Sequence, residues 1–261
     1  MKLYHYTSLA SFKFIWEGKK LKFSESKGMN DFFERHSFTD PVESSLPYNG
    51  KNSEVEVIEN NVSAILCKIN EYKQISLCMD YPEGLKGYAS PMMWGQYARS
   101  KDEKGNWQDG VCIELDLDTP ALEALNLLYS KITYTDELSI QKLEGWDFAK
   151  KNAINNYIEG NKELLFFTKH RHWEHENEFR IISNNMDYLD ISNAITGVYV
   201  LGQDSFAMKE VEGITKTPSL IRTLICTGGD KSPLTLSCFK LESCRTVSYT
   251  HLRAHETDSY L

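Results

Sequence analysis

The chain has 261 residues, of which 41% are hydrophobic, 25% charged and 12% aromatic. Those proportions exclude collagen, an extended coiled coil and wholesale disorder, and a chain of this length can bury roughly 70–75% of its extended surface without staples. The formal net charge of −8 argues against broad binding to a phosphate backbone, although it allows a local basic pocket.

Lys2–Thr7 alternates as a strand, with Leu3, His5 and Thr7 on one face and Lys2, Tyr4 and Tyr6 on the other. Leu9, Phe12 and Ile15 follow at helical spacing, behind Ser8 as an N-cap and ahead of Gly18. A second strand is expected at Leu21–Ser24, then a long surface loop over 25–52, rich in Gly, Asn, Asp, Pro and Ser. The stripe Val55, Ile58, Val62, Ile65, Leu66 and Ile69 predicts an amphipathic helix over 53–71. Next come a strand at Ile75–Met79, a short helix opening at Pro91, a polar Gly-containing loop at Lys101–Gly110 and an apolar strand at Val111–Leu117. A helix near 120–127, a strand at Lys131–Thr135 and a long helical stretch over 137–167 are predicted after it. Glu178–Ser183, Thr196–Leu201 and Leu234–Lys240 read as the last strands. Strands outnumber helices without alternating with them, and no internal repeat is visible. The expectation is a single α+β domain over 1–245, a twisted, mostly antiparallel sheet flanked by helices.

The six cysteines are widely spaced and form no C-x-x-C pair, which fits neither a zinc site nor a disulfide scaffold. The amino terminus is already a strand pattern with no apolar leader core, and no run approaches the roughly 18 apolar residues of a membrane span. A reducing, cytoplasmic compartment is expected. The twelve residues Thr246–Thr257 resemble a translated sequencing adapter, one frame of which encodes them all. Residues 246–261 are therefore set aside as a non-native tail, with the native carboxyl terminus expected to be missing. This removes His251 and His255 from the seven histidines.

No phosphate-binding glycine loop, nucleophile elbow or zincin motif is present. The densest polar cluster is Lys169–Ile182, and if its end is a strand, Glu176, Glu178 and Arg180 share one face. Two carboxylates and a guanidinium on one face can form a site, or simply a solvated face with a surface ion pair. His170, His172 and His175 match no firm metal-ligand spacing. His5, with Tyr6 and Thr7 ending its strand, is either a site residue or a hydrogen-bonded histidine at the core edge. Trp94 and Tyr97 lie three apart on a helix and serve as core packing or as a stacking platform. Asn30, Asp31 and Glu34 are a weaker loop signal that turn chemistry also explains.

Taken in order, several segments resemble the bacterial domain-of-unknown-function family 2971. They are Leu3-Tyr-His-Tyr-Thr-Ser8, Asn30-Asp31 with Glu34, Ser76-Leu-Cys78, Met93-Trp94 with Tyr97, Gly110-Val-Cys-Ile-Glu114, Tyr134-Thr-Asp-Glu137, Trp173 with Glu176-Asn-Glu-Phe-Arg180, and Val200-Leu-Gly202. The chain departs from that pattern at Phe32 and Phe179, where the family commonly has Pro and Trp, and at His5, often Lys there. A first strand ending in an aromatic and a hydroxyl residue, followed by a short helix, bears a more distant resemblance to ADP-ribosyltransferase-like folds.

That second resemblance implies an enzyme using NAD as substrate. His5 on the first strand, Tyr97 or Trp94 midway and Glu178 on a late strand would carry the chemistry, and Glu176 would open an E-x-E pair. Breaking the nicotinamide–ribose bond develops an oxocarbenium-like cation that a carboxylate stabilises, the part implied for Glu178. Tyr97 or Trp94 would stack on nicotinamide, and His5 or Thr7, with Tyr6 beside them, would hold the amide or a ribose. Arg180, or Lys169 with Arg171, would meet the pyrophosphate. Two alternatives stand beside this one. The first is a non-catalytic module binding a ligand or partner through the 25–52 and 100–110 loops. The second is a metal-dependent hydrolase or nuclease built on Asp31, Glu34, Glu176 and Glu178. No metal is expected under the NAD reading, and neither the ADP-ribose acceptor nor a protein partner is specified.

Overall fold

Alternation at the amino terminus forms strand β1 (Lys2–Thr7), and the capped repeat behind it forms α1 (Leu9–Gly18). The Ser8 hydroxyl accepts from the Ser11 amide at 3.2 Å, and Leu9 and Phe12 are buried, so cap and apolar stripe both act as the spacing predicts. The structure, a computed structural model, describes residues 1–25, 65, 67–136, 153–202, 205–227 and 235–240. The 25–52 loop beyond residue 25, most of the 53–71 helix, the first part of the 137–167 stretch and the 246–261 tail lie outside the described residues. Helices and a mixed, mostly antiparallel sheet make it an α+β protein. Among the described residues no helix is long and apolar enough to cross a membrane.

The chain sorts into two compact units, each drawn from three separated stretches. The first comprises Met1–His5, Gly18–Gly87 and Leu115–Ile195. It contains β2 (Lys20–Lys22), β3 (Ser24–Glu25), β4 (Lys73–Cys78), α3 (Thr119–Ala124), β8 (Leu128–Lys131), β9 (Thr133–Thr135), α4 (Ala153–Gly160), α5 (Lys162–Phe166), β10 (Thr168–His170), β11 (Glu178–Ser183) and β12 (Tyr188–Asp190). Its strand order is β1-β4-β11-β8, all antiparallel, with Tyr4 opposite Cys78, Cys78 opposite Glu178 and Arg180 between Ser76 and Ser130. Short ladders join β9 to β10 in parallel and β2 to β12 antiparallel.

Ile65, Ile69, Ile132, Ile158, Phe166, Phe167 and Ile182 form one buried cluster in this unit. Each such side chain stabilises by about 1.5–3 kcal/mol relative to exposure. All six residues of β11 are buried, as expected of a strand with neighbours on both edges.

The second unit comprises Tyr6–Glu17, Tyr88–Glu114 and Thr196–Leu261. It contains α2 (Pro91–Tyr97), β5 (Arg99–Lys101), β6 (Trp107–Asp109), most of β7 (Val111–Asp116) and β13 (Ile195–Leu201), α6 (Ser205–Thr215), β14 (Ile221–Thr227) and β15 (Thr235–Lys240). Here the order is β15-β14-β13-β7. β13 and β14 are parallel, β14 and β15 antiparallel, and α6 lies between the parallel pair in the chain, as such a crossover requires.

Several expectations change. Lys101–Gly110 is not a plain loop. β5 and β6 form a hairpin, closed by an Asp102 carboxylate that accepts from the amides of Lys104 and Asn106 at 2.9 and 2.8 Å. Lys131–Thr135 divides into two strands belonging to different ladders. β10, β12, α6 and β14 are elements the sequence pattern does not announce. β10 and β12 are three residues each, too short for a period to show.

One glycine is required by close approach. A Cβ on Gly110 would stand 2.1 Å from the Thr7 carbonyl oxygen and 2.7 Å from that of Ala98, both backbone atoms that cannot swing aside. Gly110→Ala is predicted to cost about 2–4 kcal/mol in urea unfolding. A loss below 0.5 kcal/mol would contradict the packing described.

Candidate functional site

The sequence pattern allows the Glu176–Arg180 run to be a solvated face. It is instead a buried charge network. Glu176, Glu178 and Arg180 are 4%, 2% and 2% exposed, and Lys169, from the preceding strand, is 6% exposed. Burial at that level makes a surface ion pair untenable as a description.

Glu178 opens β11, and alternation brings Arg180 to the same face, where its guanidinium grips the carboxylate with two hydrogen bonds, Nε to Oε1 at 2.7 Å and Nη2 to Oε2 at 2.9 Å. The third donor, Nη1, reaches the Phe166 carbonyl at 2.8 Å, in the last turn of α5, where helix carbonyls lack intrahelical partners. Lys169 Nζ lies 2.6 Å from Glu176 Oε2 and 3.5 Å from Glu178 Oε2.

Glu176 does not share the strand with Glu178 as alternation suggests. It ends a 3-10 turn over Arg171–Glu176, and Asn177, left-handed at φ 42°, turns the chain into β11. Asn tolerates that conformation, and its side-chain amide donates to the carbonyls of Met79 and Asp80 at 3.2 and 3.0 Å. Both carboxylates still meet Lys169.

The Glu178 backbone is held as firmly. Its amide donates to the Tyr134 hydroxyl at 2.9 Å, and its carbonyl accepts from Ile132 at 2.9 Å. Burial alone would raise the Glu178 carboxyl. The charge and hydrogen bonds of Arg180, then Lys169 and the Ser76 hydroxyl, outweigh that and push it down to about 2. The Tyr134 phenol is driven upward, chiefly by burial.

His5 is half-buried, and its ring hydrogen-bonds to the Ser76 backbone. Because Tyr4, Cys78 and Glu178 form one row across the sheet, alternation sets His5 on the opposite face. His5 and Glu178 therefore meet the same residue, one at its backbone and the other at its hydroxyl. Ser76 is itself exposed. Burial pushes the His5 imidazole down to about 4, against a weaker upward pull from the Ser76 bond, so it is neutral at pH 7.

The other candidates fall as follows. Thr7, Tyr6 and Trp94 are buried, and Tyr97 is half-buried. Trp94 packs edge-on against Tyr6 at 5.4 Å, and its indole N–H donates to the Tyr88 carbonyl at 2.8 Å. Arg171 is exposed and pairs with Asp136 at 3.2 Å. His170 caps the 3-10 turn by accepting from the His172 amide, and His175 Nδ1 lies 3.1 Å from the His172 carbonyl. Asn30, Asp31 and Glu34 lie outside the described residues. Among the described residues no three His, Cys, Asp or Glu side chains converge as metal ligands do.

Sequence reasoning assigns no role to three further features. Ser76 and Tyr134 touch Glu178 directly, and their only signal is their place in the segments quoted for the family resemblance. In the second unit Glu114, 6% exposed, accepts from Thr196 Oγ1 at 2.7 Å and from Tyr199 Oη at 2.6 Å, with Tyr199 stacked on Tyr88 at 4.1 Å. Apart from these, an open groove of about 710 Å³ is lined by Lys22, Phe23, Ser24, Glu25, Lys73, Asp187 and Tyr188, none of them a member of the charge network. No family model, curated protein or solved structure matches the chain.

Two predictions follow from the charges. Arg180→Met leaves Glu178 buried without its fork and should cost about 3–5 kcal/mol in urea unfolding, with the double variant Arg180→Met/Glu178→Met costing less than half of that. Equal losses would mean that Arg180 acts by packing alone. For His5 the folded value lies below the unfolded 6.5, so stability present above pH 6.5 is lost as pH falls toward 4. The loss is on the order of 2 kcal/mol, less than the full shift because the ring is half-buried. His5→Gln should flatten that part of the pH–stability curve; an unchanged slope would contradict a buried neutral imidazole.

Proposed function

We propose that the chain is an ADP-ribosyltransferase-like protein that uses NAD, with Glu178 as the carboxylate facing the reacting ribose. The observation that carries this reading is a Glu178 held as an anion, by Arg180, Lys169 and the Ser76 hydroxyl, next to the exposed Ser76. An ionised carboxylate in a low-dielectric setting stabilises the cation that forms as the nicotinamide–ribose bond breaks. The bonding pair departs with nicotinamide, and an acceptor nucleophile or water then takes the ribose carbon. Ser76, exposed beside Glu178, takes a hydroxyl contact to the ribose in this scheme, while Trp94 spends its N–H on Tyr88 and packs against Tyr6. His5, on the opposite face of the sheet from Glu178, does not hold the ribose or amide in this scheme. Arg180 and Lys169 serve Glu178 in this scheme, not a pyrophosphate.

One observation favours a second reading, a non-catalytic module binding a ligand or partner on the same fold. Both Glu178 oxygens are engaged by Arg180, and the side chain is 2% exposed, as suits a group whose task is architectural. Nicotinamide release from NAD by the full chain separates the two. Under the enzymatic reading turnover is measurable, Glu178→Gln lowers it about 10²-fold or more with the fold retained by circular dichroism, and Ser76→Ala lowers it by a smaller factor. Turnover unaffected by Glu178→Gln removes the assigned role. Absence of both turnover and calorimetric NAD binding leaves the second reading.

A further inference from the structure

Glu176 and Glu178 are two residues apart and 4% and 2% exposed. Two anions so enclosed repel each other, and without counter-charge one of them takes up a proton. Arg180 answers Glu178 through its fork. Lys169 answers both, with Nζ 2.6 Å from Glu176 and 3.5 Å from Glu178. Its ammonium is itself buried, and the Trp173 ring centroid lies 4.9 Å away in a cation–π contact. In the β9–β10 ladder Lys169 stands opposite Tyr134, whose hydroxyl accepts the Glu178 amide. Neighbouring positions of one ladder thus hold the carboxylate and the backbone of the same glutamate.

We infer that Lys169 is a positioning residue: one ammonium shared by the Glu176 and Glu178 carboxylates offsets the repulsion between them and holds the Glu178 oxygens for the reaction proposed above, on which this inference rests. Lysine suits the task because its compact head points rotatable donors at two carboxylates from different elements, whereas the planar arginine fork matches one. The network then divides its labour, Arg180 fixing the orientation of Glu178 and Lys169 suppressing its repulsion with Glu176.

The test is a carbon-13 titration of the Glu178 side-chain carboxyl between pH 7 and 2.5, with the resonance assigned by its loss in Glu178→Gln. Lys169→Met should bring on protonation about one pH unit or more higher than in the wild-type chain. Lys169→Met/Glu176→Gln, which removes one charge of each sign, should return most of that shift. A purely structural Lys169 would leave the double variant no better than the single one. In wild-type and variants alike, the acid limb of NAD turnover should move with the carboxyl titration. If the wild-type chain consumes no NAD, the enzymatic reading fails while the titration still decides the role of Lys169. Should Lys169→Met not fold, Lys169→Arg is the variant used: its planar fork matches one carboxylate, so Glu178 should again begin to protonate at higher pH than in the wild-type chain. An unchanged Glu178 titration in folded Lys169→Met, or in Lys169→Arg where that is the variant used, overturns the inference.

Discussion

Placing two carboxylates, an ammonium and a guanidinium where water does not reach is expensive, and neutrality by itself does not make it tolerable. What does so here is geometry. Arg180 spends two donors on Glu178 and a third on the last turn of α5, Lys169 bridges Glu176 and Glu178, and the Glu178 backbone is satisfied by Tyr134 and Ile132. The end of α5, the β9–β10 ladder, the left-handed Asn177 and the register of β11 against β4 must therefore all be in place together. Removing any one of them strands a charge.

The second unit handles a buried carboxylate differently. Glu114 is met by the hydroxyls of Thr196 and Tyr199, each within 2.7 Å, with Tyr88 stacked over Tyr199. Hydroxyl donors hold a carboxyl group more weakly than a guanidinium fork holds a carboxylate. In the first unit the carboxylate arrives with its own counter-ions, and that is where a charge-developing reaction would gain most from a fixed field. Ser76 gives that network its exposed edge, joining the Glu178 carboxyl to the His5 ring through one residue of β4.

Much of the local structure was legible in the chain. Alternation located β1 and β11 with the ends they have, the Ser8 cap and Gly18 bracketed α1, and Pro91 opened α2. The candidate cluster around Glu178 was also visible, because carboxylates and cations crowd into one short stretch. What could not be seen was its solvation, since Glu-x-Glu-x-Arg reads the same on a wet face as inside a sheet. Glu176 was misplaced on the strand because nothing in a period-two pattern reveals that Asn177 turns left-handed. Ser76 and Tyr134 were hidden because they reach Glu178 across strands far apart in the chain.

Residue order alone therefore determined β1, α1, the opening of α2 and β11, and that acidic and basic groups concentrate between Lys169 and Arg180. Those properties depend on neighbours within a few positions, where the pleat and the helical turn set the geometry. Only the tertiary structure decided that β11 has strands on both edges, that the network is sealed from water, and that Lys169 is shared between two carboxylates while Arg180 holds one. Burial and charge pairing depend on what lies across the sheet, and sequence spacing carries no record of that distance.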